Sequence, residues 1–269
     1  MKTFTSPESF LVLLTAAMLA APAALARDYG GLLESAHDQE LALGIAHPSL
    51  QNGIRENPAG LGEITRTKLV VQDLSLSSTS PFSSNLAAAQ VLLGNGTVGG
   101  SIGYDTLIPG SGGTLRAGLA FETTAVALGL SCSMGIGGGL STSCNNFGVI
   151  FDPRGFLRVG AQVITGTNPQ YGGGVAVDLS SAVTFATDAT LLNGMTTIKP
   201  SFGFQTSSVF GQFGYALTSG NYSSATSSYS YVWGSGFSAG LGMRFGMGSS
   251  FAISYSQVSP LYAGLTLQI

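Results

Sequence analysis

Trp233-Gly234-Ser235-Gly236-Phe237-Ser238-Ala239-Gly240-Leu241-Gly242-Met243-Arg244-Phe245 alternates large and small residues in twos. Successive side chains of a β-strand point to opposite sides. Trp233, Phe237, Leu241, Met243 and Phe245 therefore share one face, and Gly234, Gly236, Ser238, Gly240, Gly242 and Arg244 share the other. A helix would need its apolar residues three and four apart. In a soluble sandwich the outward face of such a strand carries Lys and Glu. Here it carries Gly and Ser, which suits a lumen, while the apolar face suits lipid.

The same split recurs along the chain. Leu115, Leu119 and Phe121 stand opposite Arg116 and Gly118, and Leu157, Val159 and Val163 opposite Arg158, Gly160 and Gln162. Phe251, Ile253 and Tyr255 stand opposite Ala252, Ser254 and Ser256. Tight turns at Asn95-Gly96, Glu122 to Thr124, Asp152-Pro153-Arg154-Gly155, Gln205 to Ser208 and Gly246 to Ser249 alternate with longer connections at Thr106 to Gly113, Ser133 to Ser143 and Thr218 to Ser230. Short turns at one end and longer loops at the other characterise bacterial outer-membrane barrels, whose strand counts are even. The expectation is an all-β, antiparallel up-and-down transmembrane barrel of about 14 strands. About 12 is the alternative, because Ser180 to Thr197 is hard to divide. Both termini then face the periplasm.

Composition supports a barrel in lipid. Charged residues make up 9% of the sequence and Gly accounts for 39 of 269 residues, against about 25% charge in an ordinary soluble domain. Mean hydropathy is +0.35, yet after the leader no run of 18 apolar residues escapes interruption by Gly, Ser, Thr or a charge. Only helices and closed barrels satisfy every backbone group in lipid, so an apolar chain without spanning helices points to the barrel. The net charge of -3 offers no basic footprint for nucleic acid. Lys2, the apolar run Phe10 to Ala21 and Ala24-Leu25-Ala26 have the layout of a secretory signal peptide, so residues 1–26 are expected to be a cleaved leader.

Residues 27–65 carry Asp28, Glu34, Asp38, Glu40, Glu56 and Glu63 against Arg27 and Arg55, and end in Asn57-Pro58-Ala59-Gly60-Leu61. Asn can bond its own backbone and Pro fixes φ, so Asn57-Pro58 is a turn, and Gly60 permits a further bend. Followed by alternating strands, this motif resembles the plug motif of the FadL-like outer-membrane barrels, the long-chain fatty-acid transporter family. The resemblance implies that 27–65 is a plug tucked inside a barrel formed by 66–269. It also implies passive uptake of a hydrophobic small molecule. A structural or partner-binding barrel, serving secretion or surface assembly, is the other reading. Leu265, Leu267 and Ile269 alternate with Gly264, Thr266 and Gln268, resembling the closing strand that such barrels show to their assembly machinery. Outer-membrane lipid and that machinery are the expected partners.

Candidate chemistry is sparse. Cys132 and Cys144 flank a Gly-rich stretch, and export favours a disulfide between them. His37 and His47 lie far from both cysteines in the sequence, which speaks against a metal site. Gly236-Phe237-Ser238-Ala239-Gly240 spells the hydrolase G-x-S-x-G pattern, but sits in an alternating strand with both histidines upstream of it. Gly94-Asn95-Gly96-Thr97-Val98-Gly99 spells G-x-G-x-x-G, but Asn-Gly is a hairpin signal. No catalytic residue and no cofactor are expected. Strand phase turns Arg116, Arg158, Asp178, Lys199 and Arg244 inward, where they could line a polar path or hold Glu56 and Glu63 of the plug.

Overall fold

The structure is a computed structural model that describes residues 43–48, 54, 57–73, 86–105, 113–136, 142–166, 169–192, 194–219, 236–245, 249–256 and 259–268. The expected leader, residues 1–26, and Glu56 lie outside them. Fourteen described strands run in sequence order: β1 (Lys68–Asp73), β2 (Leu86–Gly94), β3 (Val98–Asp105), β4 (Thr114–Glu122), β5 (Val126–Gly135), β6 (Thr142–Phe151) and β7 (Leu157–Ile164), then β8 (Gln170–Ser180), β9 (Val183–Leu192), β10 (Met195–Gln205), β11 (Val209–Ser219), β12 (Gly236–Phe245), β13 (Ser249–Ser256) and β14 (Ser259–Gln268). Each pairs antiparallel with its neighbours in sequence. β1 closes the ring on β14 through Lys68 opposite Gln268 and Val70 opposite Thr266. Closure leaves no unpaired edge, which lipid demands.

The stretch that resists division in the sequence resolves into the end of β8, a two-residue turn at Ser181-Ala182, and β9 leading into β10. That turn has a local cause: Ser180 Oγ accepts from Ala182 N–H at 3.2 Å. The other short turns are built in the same way. Asn95 Oδ1 accepts from both Thr97 N–H and Val98 N–H in the β2–β3 turn. Thr123 and Thr206 fold back on Val126 and Val209 in the β4–β5 and β10–β11 turns. Cys132 and Cys144 lie inside β5 and β6, directly opposite one another, and are joined as a disulfide. The bond therefore ties two strands together before the loop begins, instead of clasping the ends of a loop.

Burial follows the period of two. On β4, Leu119 is 67% exposed and its neighbour Ala120 only 5%. Exposed apolar residues continue around the ring at Ile102, Leu128, Phe151, Val159, Phe185, Phe213 and Phe251. A soluble surface does not carry a continuous apolar girdle of this extent, and a lipid-facing one must. The chain is a multi-pass β-barrel of the outer-membrane kind. Its core lies inside the ring, where Ile54, Leu61 and Ile64 of the N-terminal segment pack with Val70, Leu92 and Ala120 of the wall.

Candidate functional site: the plug and its seat

Two pieces of the N-terminal segment lie within the barrel. The first is a tight turn, Gly44 to His47, closed by Leu43 N–H to His47 O at 2.9 Å and His47 N–H to Gly44 O at 3.1 Å. Gly44 has φ +128, a conformation that L side chains avoid. The second is a short 3-10 helix, Pro58–Glu63. Pro58 starts it because the missing N–H is one that a helix leaves unbonded anyway. Asn57 caps it, its Oδ1 accepting from Ala59 N–H at 3.1 Å. Gly60 brings the two pieces together, since a Cβ there would stand 2.4 Å from Pro48 Cγ.

Asn57 does more than cap. Its Nδ2 donates to Ile45 O at 2.8 Å, and reaches Val149 O at 3.3 Å and Ala161 O at 3.4 Å on β6 and β7. One fully buried amide thus joins the helix, the turn and the wall. Ser131 of β5 adds a bond from Oγ to Ile54 O at 2.7 Å. Gly96 N–H, in the β2–β3 turn, donates to Ile64 O at 2.8 Å.

The wall makes room for this backbone with glycine. A Cβ at Gly99 would lie 1.6 Å from Leu61 O, at Gly129 2.1 Å from Pro58 C, at Gly148 1.8 Å from Asn57 Oδ1, and at Gly160 2.5 Å from Ile45 O. Gly94, Gly118 and Gly172 stand equally close to Ile64, Leu61 and Ile45. From β2 to β8 each strand therefore contributes an inward glycine to one continuous track beneath the plug. The small faces read from the alternation are in part a mould for the plug.

Charges gather where the plug meets the short-turn end of the barrel. Arg158, 7% exposed, donates from Nη2 to Asp178 Oδ1 at 2.6 Å, and Thr184 Oγ1 donates to the same oxygen at 2.6 Å. Arg154, in the β6–β7 turn, forms an ion pair with Glu122 and donates to Gly96 O. Burial raises the Glu63 carboxyl to about 7, with Arg158 opposing and Glu122 adding to the rise. Burial and the nearby Arg158 lower His47 to about 4, partly opposed by Asp178. On β9, Asp188 Oδ1 accepts from Ile45 N–H at 3.0 Å, and Ala46 N–H also faces that carboxylate. Lys199 stands opposite Asp188 on β10.

The residues selected from the sequence fall as follows. Asn57, Pro58, Ala59 and Gly60 are buried in the lumen. Arg116 lies opposite Gly103 and Ser133, in phase with the inward Gly118. Arg158 pairs with Asp178 on the wall. Arg244 lies over the Phe210 ring at 4.9 Å and donates to Thr206 O at 2.8 Å and Gln205 Oε1 at 3.1 Å, away from the plug. Ser238 of the G-x-S-x-G letters is a buried residue inside β12. Asp188 and Glu122 join the site without standing out in the sequence. Their signal is register, because Asp188 is inward only once β9 and β10 are divided.

No protein family matches the chain, and no curated protein matches it. Among solved structures it is similar to a multiple mutant of the porin of Rhodopseudomonas blastica, with a TM-score of 0.44 at 8% identity, covering 76% of this chain and 98% of that one. A triple mutant of the same porin gives the same values. A structure concerned with asymmetric conductivity of engineered proteins has a TM-score of 0.42 at 9% identity, covering 74% of this chain and 96% of the other.

Proposed function

We propose that the chain is a plugged outer-membrane channel for passive uptake of small molecules, and that, in the manner of the FadL-like barrels it resembles, the molecules are hydrophobic. The observation that supports this most is the seating of Asn57-Pro58-Ala59-Gly60 in the lumen, held by Asn57 and received by a glycine track. A barrel that needed only to be rigid could fill its centre with wall side chains. Instead, seven strands give up side chains to accommodate a segment that is covalently part of the chain but only non-covalently part of the ring. The solute passes when the plug shifts, and the barrel is a transporter, not an enzyme. Lipid surrounds the girdle, and the assembly machinery receives β14.

One observation favours the second reading, a structural or partner-binding barrel. The plug touches the wall backbone to backbone at Gly99, Gly129 and Gly160, and packing this close suits a permanent filling. Binding of a fluorescent fatty acid to the refolded protein, beside a variant lacking residues 27–65, separates the two. Saturable binding that changes on deletion supports uptake. Absence of binding by a barrel verified as folded rejects the hydrophobic solute and leaves the structural role.

A further inference from the structure

The two pieces of the plug are held differently. The 3-10 helix and its C-cap Ile64 rest on β2 to β6 through apolar contacts, Leu61 and Ile64 with Leu92 and Ala120, and Ala59 with Ala127 and Ile150. Its backbone lies on the glycines of those strands. Its last residue, Glu63, lies near Arg158 and Glu122, and Gly62 lies against the Glu122 side chain. The Gly44–His47 turn rests on β7 to β9, where Leu43 and Ala46 cluster with Ala176 and Ala186 and Ile45 lies on Gly160 and Gly172. Its firm points are polar and converge on one residue. Ile45 N–H is bonded by Asp188 and Ile45 O by Asn57. Asp188 fits because its neighbours have no side chains: a Cβ at Gly44 would stand 1.4 Å from Oδ2, and one at Gly174 1.9 Å from Oδ1.

We propose that Asp188 is the latch of the plug, a positioning residue whose carboxylate holds the Gly44–His47 turn on the wall, and that this turn leaves the wall as a unit while the Pro58–Glu63 helix stays seated. Asn57 makes the separation feasible, since on losing Ile45 O its amide still reaches Val149 O and Ala161 O. Apolar contact and glycine packing have no single bond whose loss frees the helix. The turn has one. The proposal rests on the plug-gated reading and assigns the moving part within it.

The test is amide hydrogen exchange on the full chain, refolded in detergent, for the wild type, Asp188→Asn and Asp188→Ala. Loss of a hydrogen bond to a charged group speeds opening by about 10- to 100-fold. Asp188→Ala should raise exchange at Ile45, Ala46 and His47 by that factor, and Asp188→Asn, which keeps an acceptor oxygen, by less. Residues 59–64 and the strands should be unchanged. Equal acceleration of the turn and the helix overturns the proposal, because the plug then moves as one body, and so does no acceleration of either. A double variant, Asp188→Ala with Lys199→Met, removes the facing cation as well. Recovery of turn protection in it would place the effect in Lys199 and also overturn the proposal. Uptake of a fluorescent fatty acid into vesicles holding the same variants is read separately. A freed turn with unchanged uptake upholds the latch and rejects gating by this turn.

Discussion

The arc of the wall from β2 to β9 and the arc from β10 to β12 use the same residue types for different ends. In the first, most inward glycines receive the plug, as Gly99 meets Leu61 and Gly129 meets Pro58, while Gly103 meets Gln90 and Gly174 makes room for Asp188. In the second, the inward glycines described meet the barrel's own side chains. A Cβ at Gly242 would stand 2.2 Å from the Phe210 ring, and one at Gly214 3.3 Å from Ser238 Oγ. Phe210, 4% exposed and capped by Arg244, fills space there that the plug occupies elsewhere. A glycine on a barrel wall is thus a record of what lies against it. It marks mostly the path of a segment on one arc and the footprint of wall side chains on the other.

The sharpest way to break this comparison is to add a side chain to the track. Gly129→Val would place a Cβ 2.1 Å from Pro58 C, and the obstacle is backbone, which cannot rotate aside. Overpacking a filled site costs about 1–3 kcal/mol, and here the plug can escape it by leaving its seat. The expected result is exchange at residues 59–64 faster by about 100-fold, at the upper end of that range, with the strands still protected. Gly173→Ala, an outward position on β8 whose nearest atom is Gly160 O at 3.7 Å, should change neither. If both variants behave alike, the track is not a seat.

A smaller effect separates the two roles of Asn57. Asn57→Asp keeps the acceptor that caps Ala59 N–H, but loses the donor to Ile45 O, Val149 O and Ala161 O. Asn57→Ala loses both. Replacing a cap by Ala costs about 1 kcal/mol. If capping dominates, the aspartate variant preserves plug protection and the alanine variant does not. The geometry predicts the opposite order, with aspartate the worse replacement, because its carboxylate would face three carbonyl oxygens in a fully buried site. Exchange at 59–64 in the two variants decides it.

How much of this was legible beforehand follows from what a period of two can carry. It separates the faces, so Leu119 against Gly118 and Val159 against Arg158 could be read from the chain alone. It says nothing of which inward glycine has a neighbour, since Gly99 and Gly242 look alike in sequence. Asn57-Pro58-Ala59-Gly60 could be placed within the lumen through the resemblance, but its partners could not, because Val149 and Ala161 lie about a hundred residues away. Asp188 was missed because a lone acid in Thr187-Asp188-Ala189-Thr190 has no periodic signal of its own. Its role depends on the β9–β10 register and on the close turn at Gly44.

The pH dependence of seating compares the two pieces directly, since each brings one titrating group. For Glu63, the seated value near 7 exceeds the ordinary 4.5. The seated plug therefore holds the proton more tightly, and Glu63 weakens seating as pH rises from 4.5 to 7. For His47, the seated value near 4 is below the ordinary 6.5. Charging it weakens seating as pH falls from 6.5 to 4. Since the two pieces are held separately, exchange of residues 59–64 should quicken as pH rises through the first range, with Glu63, and exchange of residues 45–47 should quicken as pH falls through the second, with His47. Glu63→Gln removes one trend. Its helix should be held more firmly than the wild type's at about pH 8 and lose its pH dependence, while the turn keeps the His47 slope.

The smallest effect expected lies on the arc without the plug. Pro200 sits in the middle of β10, and pairing with β11 is interrupted there, running from Ile198 opposite Leu217 to Ser201 opposite Gly214, while pairing with β9 continues through Pro200 opposite Thr187. A proline has no N–H for the ladder, so the wall lacks a bond on the β11 side at a depth where lipid offers no substitute. Pro200→Val restores the donor and leaves an outward apolar side chain in place. A recovered backbone bond contributes about 1 kcal/mol, which should appear as a modest rise in the temperature at which the barrel loses its compact form on gels. Plug exchange should not respond, because the bonds of Asn57, Ile45 and Ile54 to the wall all lie on β5 to β9. A change in plug exchange in this variant would mean that the two arcs are mechanically one, and that the plug's seat extends through the wall beyond the strands it touches.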